Sequence, residues 1–280
     1  MNWPSAASHR IPRVLGRSIT ADDDWVYGPI RLPEKIGFSF YTALADENGL
    51  VIAGNDPDAG LLPDFETLRG PGFDPNHVDS RIRDFYKHTA RYRLALDAYW
   101  SPVFRPLASL LVATVSRRIA QLNFPLNSRE TAAGMTSGIV RLLHAESGQI
   151  AFTGWLRTQP ATGNIVYVGL CSVVRPPGEA GPCVRVIFPL PRGSSMVLLR
   201  PTAHPDGSFR LSSDGRRFGD PGYYRIHQEA KGPRRARYVL ALKETFDVWV
   251  DTAGQVHPDH QVRFFQVPIL HLHYRLVCNT

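Results

Sequence analysis

The stretch from Gly134 to Tyr224 decides the fold, and its central part, residues 164–190, reads NIVYVGLCSVVRPPGEAGPCVRVIFPL. Short apolar and β-branched runs are separated there by turn signals rich in glycine, proline and asparagine. This pattern is typical of an antiparallel sheet or barrel. It predicts six strands, at residues 135–145, 150–158, 165–175, 183–189, 195–201 and 208–213.

Two consecutive helices are predicted before this stretch, over residues 74–123. Asp74 is a good N-cap and Pro75 a good first helical residue. Apolar residues then recur at spacings of four and three as far as Tyr99, which predicts a helix ending at about Trp100. A second apolar helical stretch begins at Ser101 and runs to residue 119.

The first part of the chain divides into an arm and a predicted hairpin. Residues 1–35 have no sustained periodicity, which predicts an irregular N-terminal arm. Next, Ile36–Tyr41 and Leu50–Ala53 flank an Asn48-Gly49 pair, and Asn-Gly between apolar runs favours a β-hairpin. A connector rich in glycine, proline and aspartate follows to residue 73.

The last part of the chain predicts one short helix, from Lys231 to Lys243, and two closing strands. These strands are Phe246–Asp251 and a long one from about Arg263 to Val277. Pro268 interrupts the latter and indicates a bulge or an edge position. Between them, residues 257–260 (His-Pro-Asp-His) have the composition of a surface turn.

Together these elements predict an α+β fold. We expect a curved antiparallel sheet or a partial or closed β-barrel of about eight to ten strands. Two consecutive helices and one later short helix pack against it. Residues 36–280 then form a single α+β domain: a hairpin and connector (36–73), a helical pair (74–123) and a β-rich body (134–280).

Composition bounds the class of protein. A chain of 280 residues with 43% hydrophobic residues can bury a core without disulfides. Three cysteines are an odd number, which favours a reducing, cytoplasmic setting. The N-terminus lacks the apolar core of a signal peptide, and no apolar run is long enough to span a membrane. A net charge of +7 fits a solvated surface or an anionic partner.

Common catalytic motifs are absent, so the sequence predicts neither a cofactor nor a metal. His271 and His273 project from one face of the last predicted strand, either as an acid–base pair or as a solvent-facing polar strand side. A metal site would need a third ligand. The basic segment Lys231–Arg237 lacks interleaved aromatic residues, so no nucleic-acid partner is expected.

The loop from Arg216 to Tyr224 is the most distinctive candidate for binding. The guanidinium of Arg217 suits an anion, and the rings of Tyr223 and Tyr224 offer flat amphipathic contacts. The alternative is ordinary turn chemistry at Asp220-Pro221-Gly222, with the tyrosines filling the core.

The sequence therefore predicts binding of a small lipophilic or aromatic molecule in an apolar pocket of a β-barrel-like domain. The expected ligand-binding residues are Arg217, Tyr223, Tyr224, Trp155 and Tyr167. The alternative is a cofactor-independent isomerase, cyclase or hydrolase, with His271, His273 and Tyr224 as acid–base groups. A third hypothesis is a peripheral membrane or protein-interaction module that docks through Phe104–Arg118 and Lys231–Arg237.

Overall fold

The computed structural model describes residues 16–29, 39–54, 56–102, 136–159, 164–190, 193–228 and 232–278. Most of the predicted arm, and the predicted second helix beyond Pro102, lie outside the described residues. Within these ranges the chain forms two α-helices, α1 (Ser39–Asn48) and α2 (Ser80–Lys87). Short 3₁₀ segments precede and follow α2, at Phe65–Leu68, Pro75–His77 and Thr89–Arg91.

Fourteen antiparallel strands make up most of the described structure. They are β1 (Arg17–Ile19), β2 (Leu50–Ile52), β3 (Tyr92–Trp100), β4 (Thr136–His144), β5 (Ile150–Gln159), β6 (Asn164–Val174), β7 (Cys183–Leu190), β8 (Gly193–Ala203), β9 (Phe209–Ser212), β10 (Gly222–Gln228), β11 (Arg234–Tyr238), β12 (Leu242–Val250), β13 (Val256–Phe264) and β14 (Val267–Cys278).

Strand β8 joins two layers of the sheet. Its first part pairs with β7 and β10, whereas its last part, Arg200–Ala203, pairs with β9. The first layer runs β2-β4-β5-β6-β7-β8 and continues through β10 and β11 to β1. The second layer runs β9-β12-β13-β14-β3. In the part of the chain that the structure describes, this path ends at β2 and β3, so the sheet is open and not a closed barrel.

Two hydrophobic cores lie on opposite faces of the first layer. The interlayer core joins Val184 and Val197 of the first layer to Val248 and Leu272 of the second, and Ile82 of α2 packs into it. The other core lies under α1 and the N-terminal segment. Below, the faces turned towards the interlayer core are called inner faces, and the opposite ones outer faces.

The predicted hairpin at residues 36–53 is wrong in its first half, because residues 39–48 form α1. Phe40, Tyr41, Leu44 and Ala45 recur on one side of this helix and are buried against the first layer. Gly49 has φ +62°, a left-handed conformation that ends helices. The Asn-Gly pair therefore ends a helix, and the following strand, β2, pairs with β4.

The predicted helix from Asp74 to Trp100 is wrong in its second half. The α-helical part is only α2, capped by Asp79, whose carboxylate accepts from the Arg81 backbone at 2.9 Å. Residues 92–100 form β3 and pair along their length with β14. Their apolar residues fit a strand as well as a helix, because Ala98 and Trp100 contact the interlayer core while Tyr99 between them is exposed.

The six strands predicted between residues 135 and 213 are present as β4 to β9. The predicted short helix at 231–243 is wrong: the segment forms β11 and the start of β12. Arg234 and Arg235 of β11 donate to the carbonyls of Gly28 and Gly16, which fixes the extended segment against the N-terminal residues.

The last part of the chain contains three strands that the sequence did not predict, β10, β11 and β13. Residues 257–260 lie inside β13 and not in a turn. The bulge indicated by Pro268 is present. Val262 stands opposite Leu270 and Arg263 opposite Pro268, which leaves Ile269 as the extra residue of β14.

Candidate functional site between the two layers

The adjacent tyrosines of β10 point to opposite faces of the first layer. Tyr223 contacts the interlayer core, where burial raises the pKa of its hydroxyl and Ser195 hydrogen-bonds to it. Tyr224 is fully buried in the other core. Its hydroxyl donates to the Asp220 carbonyl at 2.6 Å and accepts from the Gly219 N–H at 3.0 Å. Tyr224 therefore holds the preceding loop together.

Arg217 lies at the surface of that loop, with 83% of its side chain exposed. Its Nε is 3.6 Å from Asp220 Oδ1. It borders an open cleft of about 520 Å³, whose lining is Arg200, Asp214, Gly215, Arg216, Arg217 and Asp220. This cleft is polar and strongly charged, unlike the apolar pocket expected from the sequence.

Trp155 and Tyr167 lie on neighbouring strands of the first layer. Trp155 on β5 contacts the interlayer core and is partly buried. Tyr167 stands in β6 opposite Arg157, and its side chain lies outside the described residues. Of the predicted ligand-binding residues whose side chains are described, Trp155 and Tyr223 thus share the interlayer core, whereas Tyr224 and Arg217 lie elsewhere.

His271 and His273 lie on the outer face of the second layer, because Leu270 and Leu272 of the same strand face the interlayer core. Asp259 of β13 stands opposite His273 and lies between the two imidazoles. Its Oδ2 is 3.0 Å from His271 Nε2, and its Oδ1 is 2.5 Å from His273 Nδ1. The predicted histidine pair therefore has a carboxylate partner, but it does not face the interlayer space.

The outer-face histidines belong to a stacked row. The ring of His257 lies 5.7 Å from that of His273 and 5.7 Å from that of Trp249. Hydrogen bonds from the Gln255 backbone and from His257 hold the pKa of Asp251 below its ordinary value of 3.8. Among the described residues, no group of three or more His, Cys, Asp or Glu side chains could hold a metal ion.

Arg157 is a cation buried between the layers. Its residue is only 3% exposed, and its Cζ lies 3.8 Å from the ring centre of Trp155 and 4.8 Å from that of Tyr274. Nη1 donates to the Tyr274 hydroxyl at 3.2 Å, and Nε is buried without an acceptor. No carboxylate among the described residues forms an ion pair with it. This contact also joins β5 of the first layer to β14 of the second.

Arg185 shows how the same side chain is accommodated on the outer face of the first layer. It is 6% exposed, and burial lowers its pKa to about 10. Its guanidinium donates to Ser172 Oγ at 2.9 Å and to the carbonyls of Asp24 at 2.7 Å and Tyr27 at 3.0 Å. These three bonds fix the N-terminal segment, whereas Arg157 has one hydrogen bond.

The second layer also contains buried polar side chains, the paired Glu244 and His260. The glutamate Oε2 is 3.2 Å from His260 Nε2, and both residues are 9% exposed. The imidazole stacks on Phe246 with ring centres 3.9 Å apart. The charge of Glu244 also contributes to the raised pKa of Tyr223, after burial. The carboxylate, the imidazole and the phenol of Tyr223 therefore all lie on the inner faces of the layers.

Arg157, Glu244 and His260 were not predicted, yet their strands carry a signal. Each is a polar residue on the same face of its strand as apolar residues. Arg157 follows Trp155 by two positions, and Glu244 precedes Phe246 by two positions. An ionisable residue on the apolar phase of a strand is costly to bury and is therefore informative. A search for ionisable residues on the apolar faces of strands would have found all three residues once the strand bounds were known.

Comparison with known proteins gives one distant relative. The chain is 29% identical over 274 residues to a protein of Bacillus subtilis (strain 168) described as "Uncharacterized membrane protein YndJ". The match covers 95% of this chain and 47% of that protein, so the chain spans about half the length of the curated relative it matches. No family model matches the chain. No solved structure matches it. Within the described ranges, no helix has both the length and the hydropathy needed to cross a membrane.

Proposed function

We propose that the chain binds a small lipophilic molecule between its two β layers. The observation that carries the proposal is the set of large aromatic side chains that contact the interlayer core but stay only partly buried. They are Trp155, Phe188 and Tyr223 of the first layer and Trp100 and Phe246 of the second. Protein interiors are close-packed. Phenylalanine is among the residues most often fully buried there, and tryptophan is highly buried on average.

Polar groups within this aromatic surface also support the proposal. Ligand sites are mostly apolar and contain a few polar groups that fix the ligand's orientation. The Arg157 guanidinium, the Tyr223 hydroxyl and the Glu244–His260 pair provide such groups on the inner faces. The expected partner is therefore a small molecule with a largely apolar body.

The test uses neutral lipophilic probes, so that it does not depend on any charge. Decanol, farnesol and naphthalene would be added to the protein while its thermal midpoint and tryptophan emission are recorded. A ligand at about one hundred times its Kd stabilises the folded state by about 2.7 kcal/mol, which raises the midpoint measurably. Native mass spectrometry of protein taken directly from its host would reveal a molecule already bound. An empty protein whose midpoint and emission ignore every probe would contradict the proposal.

A second candidate function is a cofactor-independent enzyme that acts on the bound molecule. The specific observation is the buried Glu244–His260 pair on the inner face of the second layer, since a carboxylate and an imidazole in contact in a buried site can transfer protons. His271, His273 and Tyr224 lie on other faces and are less suited to this role. The test is deuterium uptake by a lipophilic ketone, 2-tetralone, in heavy water. Uptake above the buffer rate that Glu244→Gln abolishes supports the enzyme, and uptake at the buffer rate excludes this reaction.

A further inference from the structure

We infer that the molecule held between the layers carries a carboxylate head group that pairs with Arg157. The inference rests on the proposed function and adds the chemical class of the ligand, a monovalent anionic amphiphile. The described residues give the buried Arg157 guanidinium no negatively charged partner.

Arg157 is a charged side chain that is costly to bury. A guanidinium offers five N–H donors and is always charged at neutral pH. Here it is 3% exposed, and the described residues give it one hydrogen bond, to the Tyr274 hydroxyl, and no carboxylate. Burying an ion without a counter-charge costs several kcal/mol even after relaxation. A bound anion would remove most of that cost, because it supplies both the charge and the missing acceptors.

The geometry of the guanidinium indicates how an anion would bind. Trp155 and Tyr274 contact it through their rings, with centroids 3.8 and 4.8 Å from Cζ. Nη1 is taken by Tyr274, whereas Nε has no acceptor. Nε and Nη2 form one edge of the planar group, and two parallel N–H donors on such an edge match the two oxygens of a carboxylate.

The surroundings favour one negative charge over two. Arg157 is a single cation, so a monovalent carboxylate neutralises it, whereas a doubly charged phosphate would bury surplus charge. The nearby apolar surface, including the partly buried Trp155 on the same strand, would receive the hydrocarbon part of the ligand. Glu244 is already paired with His260, so it does not neutralise Arg157.

The experiment compares decanoate, decanol and decyl phosphate by isothermal titration with the full chain, at neutral pH and below micelle-forming concentrations. A bidentate charge-assisted contact is expected to make decanoate bind about 10- to 100-fold more tightly than decanol. Decyl phosphate is expected to bind more weakly than decanoate. Equal affinities for decanoate and decanol would overturn the inference while leaving the proposed function intact. Tighter binding of the phosphate would overturn the carboxylate assignment, and binding of none of the three would refute the proposed function itself.

Variants locate the contact. Arg157→Gln is expected to abolish the preference for decanoate over decanol. The matched control is Arg185→Gln, which removes a buried arginine from the outer face of the same layer and is expected to keep the preference. Should Arg157→Gln fail to fold, Arg157→Lys retains the charge without the planar fork, and its preference is expected to fall several-fold. A decanoate preference that persists in Arg157→Gln, that is undiminished in Arg157→Lys, or that is lost in folded Arg185→Gln would contradict the assignment.

Discussion

Replacing Arg157 by an apolar side chain is expected to stabilise the ligand-free protein, which is unusual for the loss of a buried residue. The perturbation is the double variant Arg157→Met with Tyr274→Phe, because the second change removes the hydroxyl that the first would leave without its donor. Arg157 makes one hydrogen bond and has no carboxylate partner among the described residues. Replacing a buried ion pair or triad by apolar side chains of similar volume is often neutral or stabilising by about 1–4 kcal/mol, and Arg157 lacks even the compensation of a paired carboxylate. We expect a gain in that range.

The opposite sign is expected for Arg185→Met. This guanidinium donates to three partly buried acceptors, and an acceptor left unpaired in a buried position costs about 1–3 kcal/mol. Since the N-terminal segment can relax, we expect a net loss of about 3–5 kcal/mol. The assay is urea unfolding followed by far-ultraviolet circular dichroism, with stability taken from the midpoint at an unchanged slope. A loss in the Arg157 double variant as large as that in Arg185→Met would refute the reasoning.

Three further predictions concern Gly154, Tyr224 and Asp251. A Cβ added at Gly154 would lie 2.3 Å from Cε1 of the buried Tyr41 ring, so Gly154→Ala is expected to destabilise the protein by about 1–3 kcal/mol in urea unfolding. The control is Gly138→Ala, because the atom nearest to its added Cβ is 3.9 Å away. This control is expected to change stability by less than about 0.5 kcal/mol. Tyr224→Phe is expected to lower stability by about 1–2 kcal/mol through its two lost hydrogen bonds and to leave decanol affinity unchanged. A loss of decanol binding at full stability would instead show that Tyr224 binds the ligand. The pKa of the Asp251 carboxyl is below its ordinary value of 3.8, so it contributes stability that is present above pH 3.8 and is lost as the pH falls below that value. Asp251→Asn should therefore flatten the acid side of a plot of unfolding free energy against pH. An unchanged acid side would contradict this.

The strands of the first layer could be predicted because local and tertiary preferences agree there. Turn signals and β-branched runs mark β4 to β9 at the predicted places. The failures lie where one local pattern fits two structures. Asn48-Gly49 suits a hairpin turn and equally a helix end, and burial of α1 against the first layer decided between them. In β3, pairing with β14 over nine residues outweighed a helical spacing.

The site was harder to predict than the fold, because its members come from distant parts of the chain. Arg157 and Tyr274 are 117 positions apart and meet only when the two layers face each other. Asp259 becomes the partner of His271 and His273 only through the pairing of β13 with β14, which a turn at residues 257–260 had concealed. Strand phase alone assigned His271 and His273 to one face, but it could not say that this face is the outer one.

The most direct test is to locate the hydrocarbon of bound decanoate relative to two tryptophans. Trp155 contacts the interlayer core, whereas Trp249 stacks on His257 on the outer face of the second layer. Nuclear Overhauser effects between the methylene groups of carbon-13-labelled decanoate and indole protons distinguish the two positions. Binding between the layers predicts contacts to the Trp155 indole that are weaker in Arg157→Gln at the same decanoate concentration. Contacts only to Trp249, or to neither indole in a saturated complex, would contradict it.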